Sequence, residues 1–576
     1  MNRYFQNELD NLREQATAFA RAYPTLAPQL ATAGADPDVE RILEGVAFLT
    51  AQIRQKIDDD FPEFAQGLLR QIFPHYLRPL PCSTIVQFTP KPTMKSRTRI
   101  PAGTYLDSQP VEGVNCRFRT TFDIDMWPLF LSSVKLGETS TGRKSIDLGF
   151  DLKGMDIAAW DSDSLKLHLS GDLHGASDLY FILLNSVERI GIQGSNENAE
   201  ISADEVDILP IGFSPDESLL EYPSNSFPSY RLVQEYFLMK EKFLFVDIRN
   251  IRKYTRRLSG GRFVLRFYLK EGMVRIPRIS TARFVLHASP AINLFEHDAE
   301  SILNDHRRSE YRVRPLRNTG ERYTIYSVDS VIGQNRRSAV KQGYREIGLA
   351  DPERNTEPVY SISQKQAGAE SGAETWLSFS YPPDFDLDNQ ETLIIRLTCS
   401  NGALPAQLRP GDISKPTSST PETTEFSNIL QPSEYQYIAS GSSMLWRLLS
   451  HLSLNYLSLA DTDNFKALLG LYLQSGVTGN KQEVANRKRI DGVSRITVTP
   501  CDRLLRGMPV RGQAINVQVN PGNFASRGDM YLFGTLLDYL FASFASLNSF
   551  TEFSMTDEAS DETYTWKPRT GDRPLI

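Results

Sequence analysis

Twenty residues near the C-terminus, Tyr531–Phe550 (YLFGTLLDYLFASFASLNSF), carry one charge, Asp538. A helix of that length can cross a bilayer. The run must therefore lie either in a membrane or in a sizeable core. Leu532, Phe533, Leu536, Leu537, Leu540, Phe541 and Phe544 recur at helical spacing and form one broad face. Gly534, Asp538, Ser543 and Ser546 fall mostly off it. A spanning helix is apolar all round, so this pattern predicts an amphipathic helix buried in protein. With 576 residues, the chain has material for about four domains, and so for such a core.

The other end of the chain is also helical by pattern. Phe5, Leu9, Leu12, Ala16, Phe19 and Tyr23 are spaced four, three, four, three, four, which is a heptad seam for packing helix against helix. The seam is too short to stand alone and must dock on something. In DPDVERILEGVAFLTAQIRQKIDDD, Asp36 is placed to cap a helix that starts at Pro37. Val39, Ile42, Leu43, Val46, Leu49, Ile53 and Ile57 then give one apolar face. Ala47, Phe48 and Ala51 widen it, so this helix is expected to be covered on more than one side. A second helix carries Leu68, Leu69 and Ile72, and Pro74, Pro79 and Pro81 end it.

Beyond Pro81 the texture is β. STIVQF (Ser83–Phe88), SLKLHL (Ser164–Leu169), DLYFILL (Asp178–Leu184), RFVLRFYL (Arg262–Leu269) and TLIIRLTCS (Thr392–Ser400) read as strands. Gly260-Gly261 reads as a hairpin turn joining RKYTRRLS to the strand after it. FPSYRLVQEYFLMKEKF interrupts this region as a helix. Asp351–Thr375 and Leu404–Thr424 read as loops, the second a candidate linker. Helices return at Ser440–Leu459 and Thr462–Leu473, with strands at Arg495–Pro500 and Val510–Asn520. NRKRID (Asn486–Asp491) reads as a loop, and the residues from about Thr556 on as a loosely ordered tail. The predicted class is α+β multidomain. It has an N-terminal helical segment (1–81), a β-rich, sandwich-like middle (82–290 and 291–430) and an α+β C-terminal domain (431–576).

No stretch carries recognisable catalytic chemistry. GxSxG, HExxH and GxxxxGK[ST] are absent, and SGVTGNK (Ser475–Lys481) has the wrong spacing for a phosphate loop. Cys82, Cys116, Cys399 and Cys501 form no CxxC pair. The net charge of −7 gives no electrostatic reason to bind nucleic acid or anionic lipid. The polar, charged N-terminus shows no secretory core. The basic runs RKYTRRLSGGR and NRKRID lack the aromatics of a nucleic-acid platform. The Arg447–His451–Asn455 stripe reads as a solvated or partner-facing edge. One enzymatic alternative remains. His297 and His306, with Glu296, Asp298, Asp305 and Glu310 nearby, could serve a soluble metal-dependent hydrolase.

The stretch Asp36–Pro81 resembles the N-terminal signature of the TssF family (ImpG/VasA) of type VI secretion proteins. The resemblance recurs in order at Phe227–Ile248, Ser289–Ile302, Ser440–Leu459 and Gly528–Phe550. It implies a non-enzymatic scaffold subunit of the secretion baseplate, without cofactor or metal. Its implied partners are TssG, with two TssF copies per TssG, and TssE and TssK in a wedge similar to that of contractile phage tails. The wedge surrounds the VgrG spike and is the platform for sheath and tube, in the cytoplasm at a membrane-docked complex. Against that expectation, the heptad seam and the two-sided helix become candidate partner contacts: Phe5, Leu9, Leu12, Phe19, Tyr23 and Phe48.

Overall fold

The computed structural model describes residues 41–52, 73–437 and 461–571, with isolated positions among the first seventy. Within those ranges 139–141, 196–199, 223–225, 227, 272–275, 317–322, 336–340, 348–356, 367–372, 384, 386–389, 474–480 and 506–507 are not described. The chain divides into two compact units, Met1–Leu77 with Ser440–Leu449 and Arg78–Ala439 with Ser450–Ile576.

In the first unit, residues 41–52 are helical, as are the described positions at 5–6, 9–10, 12–13, 67 and 69–70. The Phe73 amide still bonds the Leu69 carbonyl, and Pro74–Leu77 adds one buried 3₁₀ turn. Proline is tolerated there because a first turn leaves its N–H position unpaired.

The second unit is β-rich with helices toward its C-terminal end. One sheet has the strand order Ile413–Pro416, Tyr105–Val111, Val114–Thr120, Ala288–Ile292, Ser83–Pro90, Thr424–Asn428. Tyr105–Val111 and Val114–Thr120 meet in a two-residue hairpin, where Glu112 and Gly113 both have positive φ, 50° and 84°. That backbone matches the right-handed twist of the strands it joins. The outermost strands come together at Asn428, whose Oδ1 accepts the Gly411 and Ile413 amides. Val86, Phe88, Leu106, Phe118 and Ile413 fill the interior. Leu404–Thr424 is thus part of the sheet and not a linker. Its Thr417 hydroxyl binds the Tyr105 carbonyl, and Ile413–Pro416 supplies the edge strand.

Between Thr120 and Ala288 lie a five-stranded sheet and a four-stranded one. Ser164–Leu169 and Arg262–Leu269 are strands in them, as expected. DLYFILL is instead inside the helix Leu173–Asn185, capped by the Asp172 carboxylate on the Gly175 amide. Its β-forming side chains are overridden by packing, since Ala176, Leu179, Tyr180 and Leu183 are buried at helical spacing. The anticipated hairpin at Gly260-Gly261 is absent. Arg252–Thr255 is a helical turn, held by Arg252 and Arg256 on Asp161 and by Lys253 on Glu205. Pro228–Leu238 is helical, as read.

A further sheet runs Phe295–Asp298, Glu391–Ser400, Thr324–Asn335, Lys341–Glu346, Val359–Gln366, Ala373–Ser380, Glu310–Arg312, with Ile302–Asn304 on Glu391–Ser400. A bridge between Ala299 and Pro315 joins its ends, so it closes into a barrel. Two of its strands fall in the interval Asp351–Thr375 and just after it, which sequence had given to a loop. Tyr360 and Leu377 lie in the core and alternate with Ser361 and Ser378, which pair with each other on the opposite face.

In the C-terminal part, Met508–Val519 and Phe550–Asp557 are parallel, and the helix Arg527–Ala542 makes the crossover between them. This is the apolar run first noted in the sequence. It ends at Ala542 and not at Phe550, and every residue in it except Arg527 and Tyr539 is buried. It is therefore covered all round and not on one face. Asp538 is fully buried and pairs with Arg569, beside Tyr539. Arg569–Thr570 and Thr563–Thr565 are strands on Phe550–Asp557, so the supposed loose tail is part of the fold as far as it is described. Gly528 lies against the Ser177 backbone, where a Cβ would come within 2.1 Å. Asn486–Asp491, read as a loop, ends the helix Lys481–Asp491, whose Arg489 is buried on Asp529. Thr462–Leu471 is a helix as expected. No helix among the described residues is long and apolar enough to cross a membrane. All of Ser440–Leu459, with the Arg447–His451–Asn455 stripe, and most of Ser475–Lys481 fall outside the described residues.

Candidate protein interface

The helix at 41–52 has two apolar sides with different fates. Ala47 and Ala51, four apart, are fully buried within the first unit. Ile42, Val46 and Leu49, on the opposite side at spacings of four and three, are 66%, 41% and 59% exposed, and Phe48 is 47% exposed. Thr50 turns its hydroxyl back on the Val46 carbonyl. The sequence had marked Ile42, Val46 and Leu49 as the face to be covered. Small alanines permit the closer approach, so they take the intramolecular contact and leave the larger side chains outward. At ~25 cal/mol per Å², leaving several such side chains in water forgoes some kilocalories that a partner would recover.

The heptad residues are only partly visible. Leu9 is buried, Phe5 and Leu12 are half-buried, and Phe19 and Tyr23 lie outside the described residues.

The alternative catalytic segment is not assembled. His297 stands opposite Leu397, and Asn304, two residues before His306, stands opposite Glu391, at the other end of the same partner strand. Six residues of strand separate them by ~20 Å. His297 Nε2 lies 2.6 Å from the Leu316 carbonyl, and His306 stacks edge-on against Tyr381. Among the described residues no group of three His, Cys, Asp or Glu side chains is placed to hold a metal. Burial pushes the Cys116 thiol up to about 11 and Cys399 up to about 12, and Cys82 higher still, far from a reactive thiolate. One buried ion pair is satisfied within the fold. Lys242 reaches Glu235 and the Gly212 carbonyl, while Glu235 also accepts the Leu219 and Leu220 amides.

The family model described as "Type VI secretion system, TssF" matches residues 1–573. A curated relative, type VI secretion system component TssF1 of Pseudomonas aeruginosa, is 30% identical over 627 aligned positions, covering 100% of this chain and 99% of the relative. Among solved structures, a chain of the TssK-TssF-TssG baseplate subcomplex, determined by cryo-electron microscopy, superposes with a TM-score of 0.78 at 27% identity, covering 93% of this chain and 99% of that one. A chain of the type VI secretion baseplate complex shares the fold, with a TM-score of 0.60 at 23% identity over both full lengths. The matched stretches span both apolar ends and the β-rich middle, and the chain belongs to the TssF family of type VI secretion system proteins.

Proposed function

We propose that this chain is a non-enzymatic structural subunit of the type VI secretion baseplate. The observation that carries the reading is its near full-length likeness to a chain solved within a TssK-TssF-TssG subcomplex. In this reading it assembles directly with TssG, two copies to one, and with TssK and TssE in a wedge around the VgrG spike that serves sheath and tube assembly. It works in the cytoplasm, at a baseplate recruited to the inner membrane. Such a role calls for large interfaces and not for a pocket. Residues 1–81 are the docking segment, through Phe5, Leu9, Leu12, Phe19, Tyr23 and Phe48, joined by the exposed Ile42, Val46 and Leu49.

The test is co-purification with TssG. Leu49→Asp changes a side chain 59% exposed and should leave the melting temperature unchanged. It should abolish the two-to-one complex that wild type is expected to give by native mass spectrometry, because a carboxylate buried at an interface costs several kcal/mol. Leu12→Asp is the matching change in the seam. A full complement of two-to-one complex from both folded variants would refute this interface.

A further inference from the structure

One end of the closed barrel is built unlike the rest of its interior. Most of the core is aliphatic or aromatic, with Val331, Leu377, Leu393, Ile395 and Leu397 among its residues. At this end Glu391 points inward with them, since it shares strand parity with Leu393 and is only 5% exposed. Its Oε1 is doubly served, by Asn304 Nδ2 at 2.9 Å and by the Tyr344 hydroxyl. Among the described residues its Oε2 receives no hydrogen bond and no cation. That atom lies over bare backbone, where a Cβ on Gly333 would sit 2.1 Å from it. A buried carboxylate is ordinarily paired with a cation, because desolvation of the charge is costly. Here the fold holds the carboxylate in place and leaves one oxygen open.

Aromatic side chains surround the partners of this carboxylate, and the Tyr344 ring edge also lies by Gly333. Asn304 Nδ2 also reaches the Tyr381 hydroxyl at 2.8 Å, tying the carboxylate to this ring. Tyr381 stacks on Phe385 at 4.8 Å between centroids, and His306 stands edge-on to Tyr381 at 5.0 Å. Tyr344 lies 6.4 Å from Tyr381. Tyr381, Phe385 and His306 are half-buried. Barrel mouths are favoured ligand sites. A single carboxylate oxygen beside π faces suits a compact organic cation better than a metal, which needs several oxygen or nitrogen donors.

We propose that this barrel mouth binds an organic ammonium group, paired with Glu391 Oε2 and packed against Tyr381, Phe385 and His306. Asn304 and Tyr344 act as positioning residues that hold the carboxylate. The ammonium belongs either to a free amine or to a lysine of a neighbouring subunit. The site itself does not depend on the baseplate reading.

The experiment has two arms on the full-length protein. Saturation-transfer NMR with n-butylammonium and tetramethylammonium reports a free amine. Zero-length carbodiimide coupling in the complex reconstituted with TssG and TssK, followed by peptide mass spectrometry, reports a lysine joined to Glu391. A signal is expected in at least one arm. Glu391→Gln should abolish it while keeping the hydrogen bond from Asn304, and Asp298→Asn, on the exposed outside of the same barrel, should not change it. Tyr381→Leu should weaken amine binding by about tenfold. Silence in both arms with folded, assembled wild type overturns the proposal, as does a signal that survives Glu391→Gln. Failure to assemble with TssG would count against the baseplate reading and leave the amine arm to decide the site.

Discussion

Replacing Arg569 by leucine tests how the C-terminal strand holds the buried helix Arg527–Ala542. Burial raises the Asp538 carboxyl from 3.8 to about 6, against the opposing pull of Arg569. At ~1.4 kcal/mol per pKa unit, keeping this carboxylate ionised at pH 7 costs the folded state ~3 kcal/mol. Without Arg569 the carboxyl rises beyond 7 and takes a proton, which caps the cost at ~4.4 kcal/mol. The charge loss is thus ~1.4 kcal/mol, well below the ~3–5 expected when a buried pair is broken and the survivor stays charged. The guanidinium also lies 3.6 Å from the centre of the Tyr539 ring, a contact worth about 0.5–2 kcal/mol. Arg569→Leu should therefore cost about 2–3 kcal/mol at pH 7.

The same pair has a pH signature. Because the folded carboxyl is raised, its penalty is absent below 3.8, grows as pH climbs to about 6, and is constant above. At pH 4.5 the wild-type carboxyl is already mostly neutral, so only the ring contact separates the two proteins. Urea unfolding of both at pH 4.5 and 7 gives this double difference directly. Other titrating groups cancel in it. An equal loss at both pH values, or no loss at pH 7, would refute the reasoning.

Burial pushes His168 down to about 3, so unfolding takes up a proton below 6.5 and wild-type stability falls as pH drops through that window. His168→Phe should flatten the stability slope between pH 4 and 6 by ~1.4 kcal/mol per unit, and an unchanged slope in urea titrations would contradict this. Gly528→Ala should lower stability by about 1–3 kcal/mol in thermal melts, because the Ser177 backbone leaves no room for a Cβ. An unaltered melting temperature would show that the two helices separate freely. His297→Ala, paired at the far end of the same partner strand from the barrel-mouth group, should leave secretion close to wild type, and its loss from a folded, assembled variant would reopen the enzymatic alternative.

What the sequence revealed depended on how local the decisive force was. Strands such as Ser83–Pro90 and Arg262–Leu269 were legible because alternation and turn residues state them locally. DLYFILL was misread because its composition favours a strand, while its state is set by distant contacts with Tyr531 and Gly528. Asp538 seemed to mark a solvent side because its cation lies 31 residues away, in what looked like a tail. At the interface, spacing located the apolar residues of the 41–52 helix correctly. It did not say which side faces out, since Ala47 and Ile42 score alike as apolar and differ only in how closely a neighbour can approach. Glu391 left no signal, because a buried acid in a strand looks like an exposed one until the register is known.

The six-stranded sheet has a consequence for the order of synthesis. Its strands come from 83–120, 288–292 and 413–428. At ~5–20 residues per second, the first three strands wait roughly 15–60 s after Thr120 for the closing strand Thr424–Asn428 to be made. Meanwhile the segments inserted at 120–288 and 292–413 can complete sheets of their own. The first-made strands are the last to be enclosed, and their open edges are the part of the nascent chain most in need of a chaperone. Shortening the delay by circular permutation would relieve that exposure without altering a single contact in the finished molecule.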